Sequence, residues 1–244
     1  MNTIIYSDNF RTALHSPVAL EHEYDLRCAM QALMFELLQN PARKHDANLQ
    51  GMLTQCRLRL RELQNLVDAT RGEHEFVLQS CDLRSLLEDL CAAADLLLSP
   101  HGRSVIFIAP HELVENACAP RELTFLVLEL IVNALRHTHG EEISVVLQRK
   151  ARAATITVES MGEINLDELH QHAKRQGSGV SAMLRTAWLH HGTLLWLQRD
   201  SKTVAVLKLP LQNKTNAPHY GAPDLVDYLA DQCSPVYIGL AQLL

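Results

Sequence analysis

Two adjacent helical segments with apolar stripes constrain this fold more than any other feature of the sequence. In residues 20–39 apolar side chains recur every three or four positions, and Asn40 and Pro41 end the pattern. In residues 46–69 the spacing alternates between four and three, which defines a heptad seam of Leu49, Leu53, Cys56, Leu60, Leu63 and Val67. Two such helices with a short connection predict a helical hairpin. Because a hairpin alone cannot bury both stripes, we expect a dimeric four-helix bundle.

The boundaries of this hairpin follow from the polar residues around it. The stretch 71–75 places a glycine among charged residues and indicates a break between domains. We therefore assign the hairpin to residues 20–72 and an N-terminal segment to residues 1–19. In the second helix, three arginines lie off the heptad seam, and their position predicts a solvated face rather than a binding site: Arg57, Arg59 and Arg61.

Helix and strand patterns alternate between residues 76 and 212. Helices are predicted at 82–98, 120–137 and 178–190, and strands at 105–108, 143–148, 155–158, 193–198 and 204–209. Asp82 is the expected N-cap of the first of these helices. This order predicts an α+β domain with helices on one face of a mixed sheet. In the tail, residues 213–244, helical spacing of apolar residues fits a docking segment and a packed C-terminal helix equally well.

The net charge and the cysteines limit which classes of partner and which cellular compartment we expect. The formal net charge of -6 argues against nucleic acid, because no basic surplus exists to displace counterions from phosphates. The six cysteines are scattered without a C-x-x-C pair, which is typical of small buried residues in a reducing cytoplasm. No uncharged stretch approaches the length needed to cross a bilayer. We therefore expect a cytoplasmic protein without a membrane span.

A motif in the predicted helix at 120–137 indicates a nucleotide site. Residues 126–138, LVLELIVNALRHT, resemble the N-box of histidine kinases and related GHKL ATPases. Glu129 and Asn133 lie one helical turn apart and share a face, as two ligands of one Mg²⁺ must. The resemblance implies that these two residues bind Mg²⁺ and that Arg136 and His137 contribute to binding ATP.

The motifs that follow strengthen the resemblance, with one substitution. Gly162 matches a glycine of the family's D-x-G-x-G motif, but Ser160 occupies the position of its adenine-reading aspartate. A later G-S-G-V sequence is similar to the family's glycine box, in which Gly177 and Gly179 would present backbone N–H groups to phosphates. The match implies an α/β sandwich of the Bergerat type with an ATP site. Ser160 loses a charge-assisted hydrogen bond of about 1.5–3 kcal/mol, which weakens the expected nucleotide binding.

The hairpin resembles the dimerisation and phosphotransfer helices of the same kinases, whose signature is H-E/D-L-R-x-P-L. The corresponding sequence here is YDLRCAM, in which Tyr24 replaces the phosphoacceptor histidine and Asp25 keeps the adjacent acid. The pKa of a tyrosine phenol is about 10, so its nucleophilic form is scarce at neutral pH. Asp25 alone would have to act as the general base. His22 is a poor substitute acceptor, because two positions rotate a helical side chain by roughly 200°.

Three interpretations remain open from the sequence. The first is a divergent histidine kinase of a bacterial two-component system that binds ATP and phosphorylates itself or a partner. The second is a catalytically silent homodimer, a pseudokinase, that docks the receiver domain of a response regulator or another histidine kinase. The third, an unrelated GHKL ATPase, fits less well because the heptad hairpin belongs to kinases. The residues at positions 24 and 160 favour impaired autophosphorylation.

Overall fold

A helical hairpin begins the described part of the chain. The computed structural model of the protein describes residues 17–39, 46–70, 76–137, 141–175, 178–212 and 218–244, so the predicted break at 71–75 lies outside it. Helix α1 spans Pro17–Gln39, helix α2 spans Ala47–Thr70, and the two pack against each other as predicted. Within the described ranges, none of the helices combines the length and apolarity that a bilayer span requires.

Two sheets follow the hairpin. The smaller one pairs strand β1, Gln79–Asp82, with strand β3, Glu115–Cys118, neither of which the sequence pattern predicted. The larger one contains β2 Ser104–Ile108, β4 Glu142–Lys150, β5 Ala153–Met161, β6 Thr193–Arg199 and β7 Lys202–Pro210. Its order is β2-β4-β5-β7-β6, with β2 parallel to β4 and the other pairs antiparallel. In β4 three alternating side chains, Ile143, Val145 and Leu147, are at most 1% exposed, so one face of the sheet lines the core.

Helices cover that inner face and confirm the predicted α+β architecture. They are α3 Leu83–Leu98, α4 Pro120–His137, α5 Leu166–Lys174 and α6 Gly179–Leu189. Asp82 caps α3, as predicted, because its carboxylate accepts from the backbone N–H groups of Arg84 and Ser85. Pro120 begins α4, where its missing N–H costs no helical hydrogen bond. The buried faces of α3, α4 and α6 share one apolar cluster with the sheet.

The C-terminal tail is part of this core. It contains α7, Leu225–Ala230, and α8, Pro235–Gly239, and α8 packs against both α4 and α2. Three of its side chains are at most 2% exposed and belong to the main apolar cluster: Tyr228, Val236 and Leu240. Residue His219 also bridges to Ser80 of β1. Of the two alternatives for the tail, the structure therefore has the packed C-terminal helix.

One face of α2 is buried against this core, and the prediction of a solvated arginine face is wrong for two of three residues. Arg57 is 7% and Arg61 is 3% exposed, whereas the Arg59 side chain is 65% exposed and pairs with Glu62. The buried polar stripe continues through Gln64 and Asp68. It is buried because α2 packs on α6 and α8, which lie far away in the sequence. The heptad pattern alone cannot reveal a partner at that separation.

Candidate functional site

An open cavity of about 550 Å³ lies between α4, α5 and the start of α6. Helix α4 contributes Glu129 and Asn133, which share a face because they are four residues apart, followed by Arg136 and His137. The opposite wall includes Gly179, the first residue of α6. The structure thus places five of the predicted site residues around one cavity. The predicted glycine at position 177 lies outside the described residues.

The start of α6 is shaped to approach α4 closely. Ser178 caps the helix by accepting from the backbone N–H of Ser181 at 3.1 Å, and its hydroxyl donates to the carbonyl oxygen of His172 in α5 at 2.6 Å. A Cβ atom on Gly179 would overlap the Glu129 carboxylate. Only glycine therefore permits this approach of α4 to α6.

The Glu129 carboxylate already has a partner from the hairpin. Its Oε2 accepts from Nη2 of Arg61 on α2, in an ion pair whose side chains are 3% exposed for Arg61 and 12% exposed for Glu129. Its Oε1 faces Gly179. One carboxylate oxygen is therefore ion-paired, and the other lies against the backbone of Gly179. No sequence motif indicated this role for Arg61, although its four-residue spacing from Arg57 places the two on one helix face.

The remaining charges around the cavity are mixed. Arg136 donates to Oε1 of Gln242 in the tail at 2.6 Å. Partial burial, with a smaller contribution from neighbouring Arg136, lowers the pKa of His137, which favours its neutral form. On the side of α5 the wall carries the acids Glu163 and Glu168. A polyphosphate entering this cavity would meet acids as well as cations, which reduces its electrostatic attraction.

A second, inner cavity of about 10 Å³ lies behind the first. Ser160, at the adenine-reading position of β5, lines it and is 3% exposed, while Trp196 of β6 closes it. Among the described residues, the Ser160 hydroxyl and Nδ2 of Asn133 have no hydrogen-bond partner. The space suffices for about one water molecule, which could satisfy both groups, but not for a purine base.

The other predicted site residues lie away from these cavities. Gly162 ends β5 with a φ of 120°, a conformation that favours glycine, and its N–H donates to the carbonyl oxygen of Ser201 at 2.8 Å. Asp25 on α1 is exposed and is not among the residues that line either cavity. Tyr24 lies on the same helix, with its side chain outside the described part. Gly162 therefore shapes a turn beside the site rather than a wall of it.

The most buried histidine of the described residues has a structural role. His190 is 3% exposed and contacts the carbonyl oxygen of Thr186 through Nδ1 at 2.7 Å. Its Nε2 accepts from the backbone N–H of Ala119 at 3.0 Å. Burial lowers the pKa of His190 to about 4, so the ring stays neutral and joins the end of α6 to the start of α4.

This arrangement does not fit a magnesium-bound adenine nucleotide. Glu129, the predicted partner of Asn133 in binding Mg²⁺, is paired with Arg61. The cavity beside Ser160 is too small for the base. The outer cavity has the size of a ligand site, but Glu129 is paired with Arg61 and Arg136 is hydrogen-bonded to Gln242.

A protein-family model matches this part of the chain. Residues 118–213 match the family described as histidine kinase-, DNA gyrase B-, and HSP90-like ATPase. The match contains α4 to α6 and strands β4 to β7, and therefore all residues of the two cavities except those of α2 and the tail. None of the curated proteins compared with the sequence is detectably similar to it.

Solved structures of histidine kinases share the fold. The histidine kinase AdeS of Acinetobacter baumannii has a TM-score of 0.55 at 16% identity, over 79% of this chain and 98% of that one. Full-length ShkA in complex with AMPPNP has a TM-score of 0.59 at 13% identity, over 84% of this chain and 47% of that one. Histidine kinase ThkA in complex with the response regulator TrrA has a TM-score of 0.53 at 12% identity, over 80% and 61%. Each likeness extends beyond the residues that match the family model.

Proposed function

We propose that the chain is a catalytically silent regulator of two-component signalling, because residues 118–213 match the histidine kinase-, DNA gyrase B-, and HSP90-like ATPase family and the chain shares the fold of solved histidine kinases. In this role the chain forms a homodimer through the hairpin of residues 20–72 and docks the receiver domain of a response regulator or another histidine kinase. The ATPase-like domain, residues 76–212, then has a structural rather than a catalytic role.

One observation carries this proposal: a side chain of the hairpin pairs with the acid that the family pattern assigns to Mg²⁺. The acid that the family pattern assigns to Mg²⁺, Glu129, is bound by Arg61, and the space beside Ser160 holds about one water. The phosphoacceptor position is occupied by Tyr24, a phenol that is a weak nucleophile at neutral pH. Acceptor, cation site and base site are thus all altered in one chain. A single alteration could be compensated, but three remove the parts on which phosphoryl transfer depends.

Exposed apolar residues on the hairpin support the homodimer. In the single chain, Phe35 of α1 is 63% exposed, and Met52 and Leu66 of α2 are 54% and 42% exposed. Met52 and Leu66 are fourteen residues, or two heptads, apart and therefore share a face of α2, which is the spacing of a helix–helix interface. Burial of the opposite side of α2 by α6 leaves this side for a second hairpin. The receiver as a partner is supported by the resemblance of the hairpin to phosphotransfer helices, and ThkA is a similar kinase solved with a response regulator.

A second candidate function is favoured by the outer cavity. About 550 Å³ is retained beside Glu129, Asn133 and Gly179, which is the size of a small-molecule site. Movement of α2 away from α4 would expose the Glu129 carboxylate. A divergent kinase that binds ATP only in such an open arrangement is the alternative that this cavity supports.

Labelling with γ-labelled ATP and Mg²⁺ separates the two candidates. We expect no label on the purified wild-type protein, because neither Tyr24 as the acceptor nor the outer cavity beside Glu129 is suited to phosphoryl transfer. The variant Tyr24→His restores an imidazole beside Asp25, and we also expect no label on it, because the cleft is unchanged. Acid-labile, base-stable label on Tyr24→His, or acid-stable label on the wild type, would support the divergent kinase instead.

A further inference from the structure

One guanidinium group joins three parts of the molecule. Arg61 of α2 is 3% exposed and donates through Nη2 to Oε2 of Glu129 on α4. Its Nη1 donates to the carbonyl oxygen of Gly239 at the end of α8. A planar guanidinium presents its donors in a fixed fork, so one side chain can satisfy acceptors from two elements at once. Arg61 therefore connects the hairpin with both the ATPase-like domain and the tail.

The Glu129 carboxylate is also held on its other side. Its Oε1 lies against Gly179, where any side chain would overlap it. Gly179 is the first residue of α6, and a negative charge near the N-terminus of a helix is favoured by the helix dipole. The Glu129 side chain is only 12% exposed. Arg61 and the N-terminus of α6 therefore both stabilise the negative charge of Glu129, as a bound cation would.

We propose that the buried ion pair Arg61–Glu129 acts as a latch. It keeps the hairpin packed against the ATPase-like domain and prevents Glu129 from binding cations. The inference rests on the proposed function as a silent regulator. Arg57 provides a second contact on the same helix face. It donates to the backbone and side-chain oxygens of Gln232 at 3.3 and 3.0 Å, and its guanidinium lies 4.9 Å from the ring centroid of Tyr237.

The burial of this pair determines how substitutions should behave. Removal of one member leaves the other charge buried without a partner, whereas replacement of both by apolar residues of similar volume is tolerated. The same helix offers a matched control in the exposed pair Arg59–Glu62, whose atoms lie 2.6 Å apart and whose side chains are 65% and 62% exposed. Exposed pairs contribute little to stability. The latch therefore predicts that the effects of substitutions at Arg61 and Glu129, the inner pair, do not add. Substitutions at Arg59 and Glu62, the exposed pair, should have small effects.

Hydrogen exchange on the full chain measures how well the hairpin stays packed on the domain, through the exchange rates of the backbone amides of α2 and α6. We expect Arg61→Met and Glu129→Met each to speed this exchange roughly 100-fold, since each leaves a buried unpaired charge. The double variant Arg61→Met/Glu129→Met should recover most of the protection. We expect Arg59→Met and Glu62→Met to change the exchange by less than about fivefold. Arg61→Lys keeps the charge without the fork and should fall between the wild type and Arg61→Met.

Three results would overturn the latch. The first is unchanged exchange in Arg61→Met, and the second is that the effects of Arg61→Met and Glu129→Met simply add in the double variant. The third is saturable binding of Mn²⁺ to the wild type, measured by calorimetry without nucleotide, that Glu129→Gln abolishes while the exchange stays unchanged. Neither measurement involves nucleotide or a partner protein. The latch can therefore fail while the proposal of a silent regulator stands, and phosphate label could appear with the latch intact.

Discussion

Removal of residues 218–244 will abolish cooperative unfolding of the remaining chain. Four tail side chains are at most 2% exposed: Tyr228, Val236, Ile238 and Leu240. Burial of one such side chain contributes about 1.5–3 kcal/mol, so the four contribute about 6–12 kcal/mol, which is comparable with the whole stability of a domain. The truncation also removes the acceptors of two buried arginines, Arg57 and Arg61. Urea unfolding followed by circular dichroism measures the loss.

A point substitution in the same tail provides the control for this truncation. Val226 is 70% exposed, and Val226→Ala should change the free energy of unfolding by less than about 0.5 kcal/mol. A truncated chain that unfolds cooperatively at the urea midpoint of the wild type would show that the tail is an appendage and not part of the core.

Replacement of Trp196 by alanine should lower the free energy of unfolding by about 3–5 kcal/mol. Trp196 is 4% exposed, lies opposite Ala205 of β7 and closes the inner cavity beside Ser160. Its removal leaves a void of roughly the shape of an indole ring, lined on one side by Leu130, Ala134 and Val158, and an aromatic ligand of matching shape can fill such a void. Added indole should therefore raise the melting temperature of Trp196→Ala and leave that of the wild type unchanged.

The second tryptophan separates this effect from a general loss of aromatic surface. Trp188 on α6 is half-buried, and the guanidinium of Arg185 lies 4.4 Å from the centroid of its ring. Trp188→Ala should cost on the order of 1 kcal/mol and show no rescue by indole. Equal losses in both variants, without rescue of Trp196→Ala, would indicate that the inner cavity does not depend on Trp196.

Local patterns were sufficient to predict the elements that carry strong signals of their own. The helix at 120–137 was predicted with the bounds that α4 has, because a proline start and a regular apolar stripe define it. Asp82 was predicted as the cap of α3 for similar reasons. The spacing of Glu129 and Asn133 on one face also follows from helix geometry alone. These features depend on residues within a few positions of one another.

Features that depend on distant residues were not predicted. Arg61 meets Glu129 and Gly239, which are 68 and 178 positions away, so its burial could not be inferred from the helix that contains it. The four-residue strands β1 and β3 are too short to show a period. The size of the cavity beside Ser160 depends on Trp196, which a motif comparison does not weigh. Sequence therefore indicated the location of the site, whereas only packing showed that Glu129 is paired with Arg61 and that the cavity beside Ser160 is small.

The hairpin is packed tightly against the ATPase-like domain. The buried polar stripe of α2 fixes the hairpin against α6 and α8, so the hairpin and the ATPase-like domain form one packed unit. In a kinase that phosphorylates its own hairpin, the two parts must move relative to each other. A regulator that only presents a docking surface benefits from the opposite property, because rigid surfaces bind without a cost of ordering.

An equilibrium titration of the full chain with Mg²⁺ and a non-hydrolysable ATP analogue tests most directly whether the site has lost its nucleotide. We predict no saturable heat up to about 1 mM nucleotide, because Glu129 is paired with Arg61 and the space beside Ser160 holds only about one water. Saturable binding at micromolar concentrations that is lost in Asn133→Ala would contradict the account and assign the cleft to ATP.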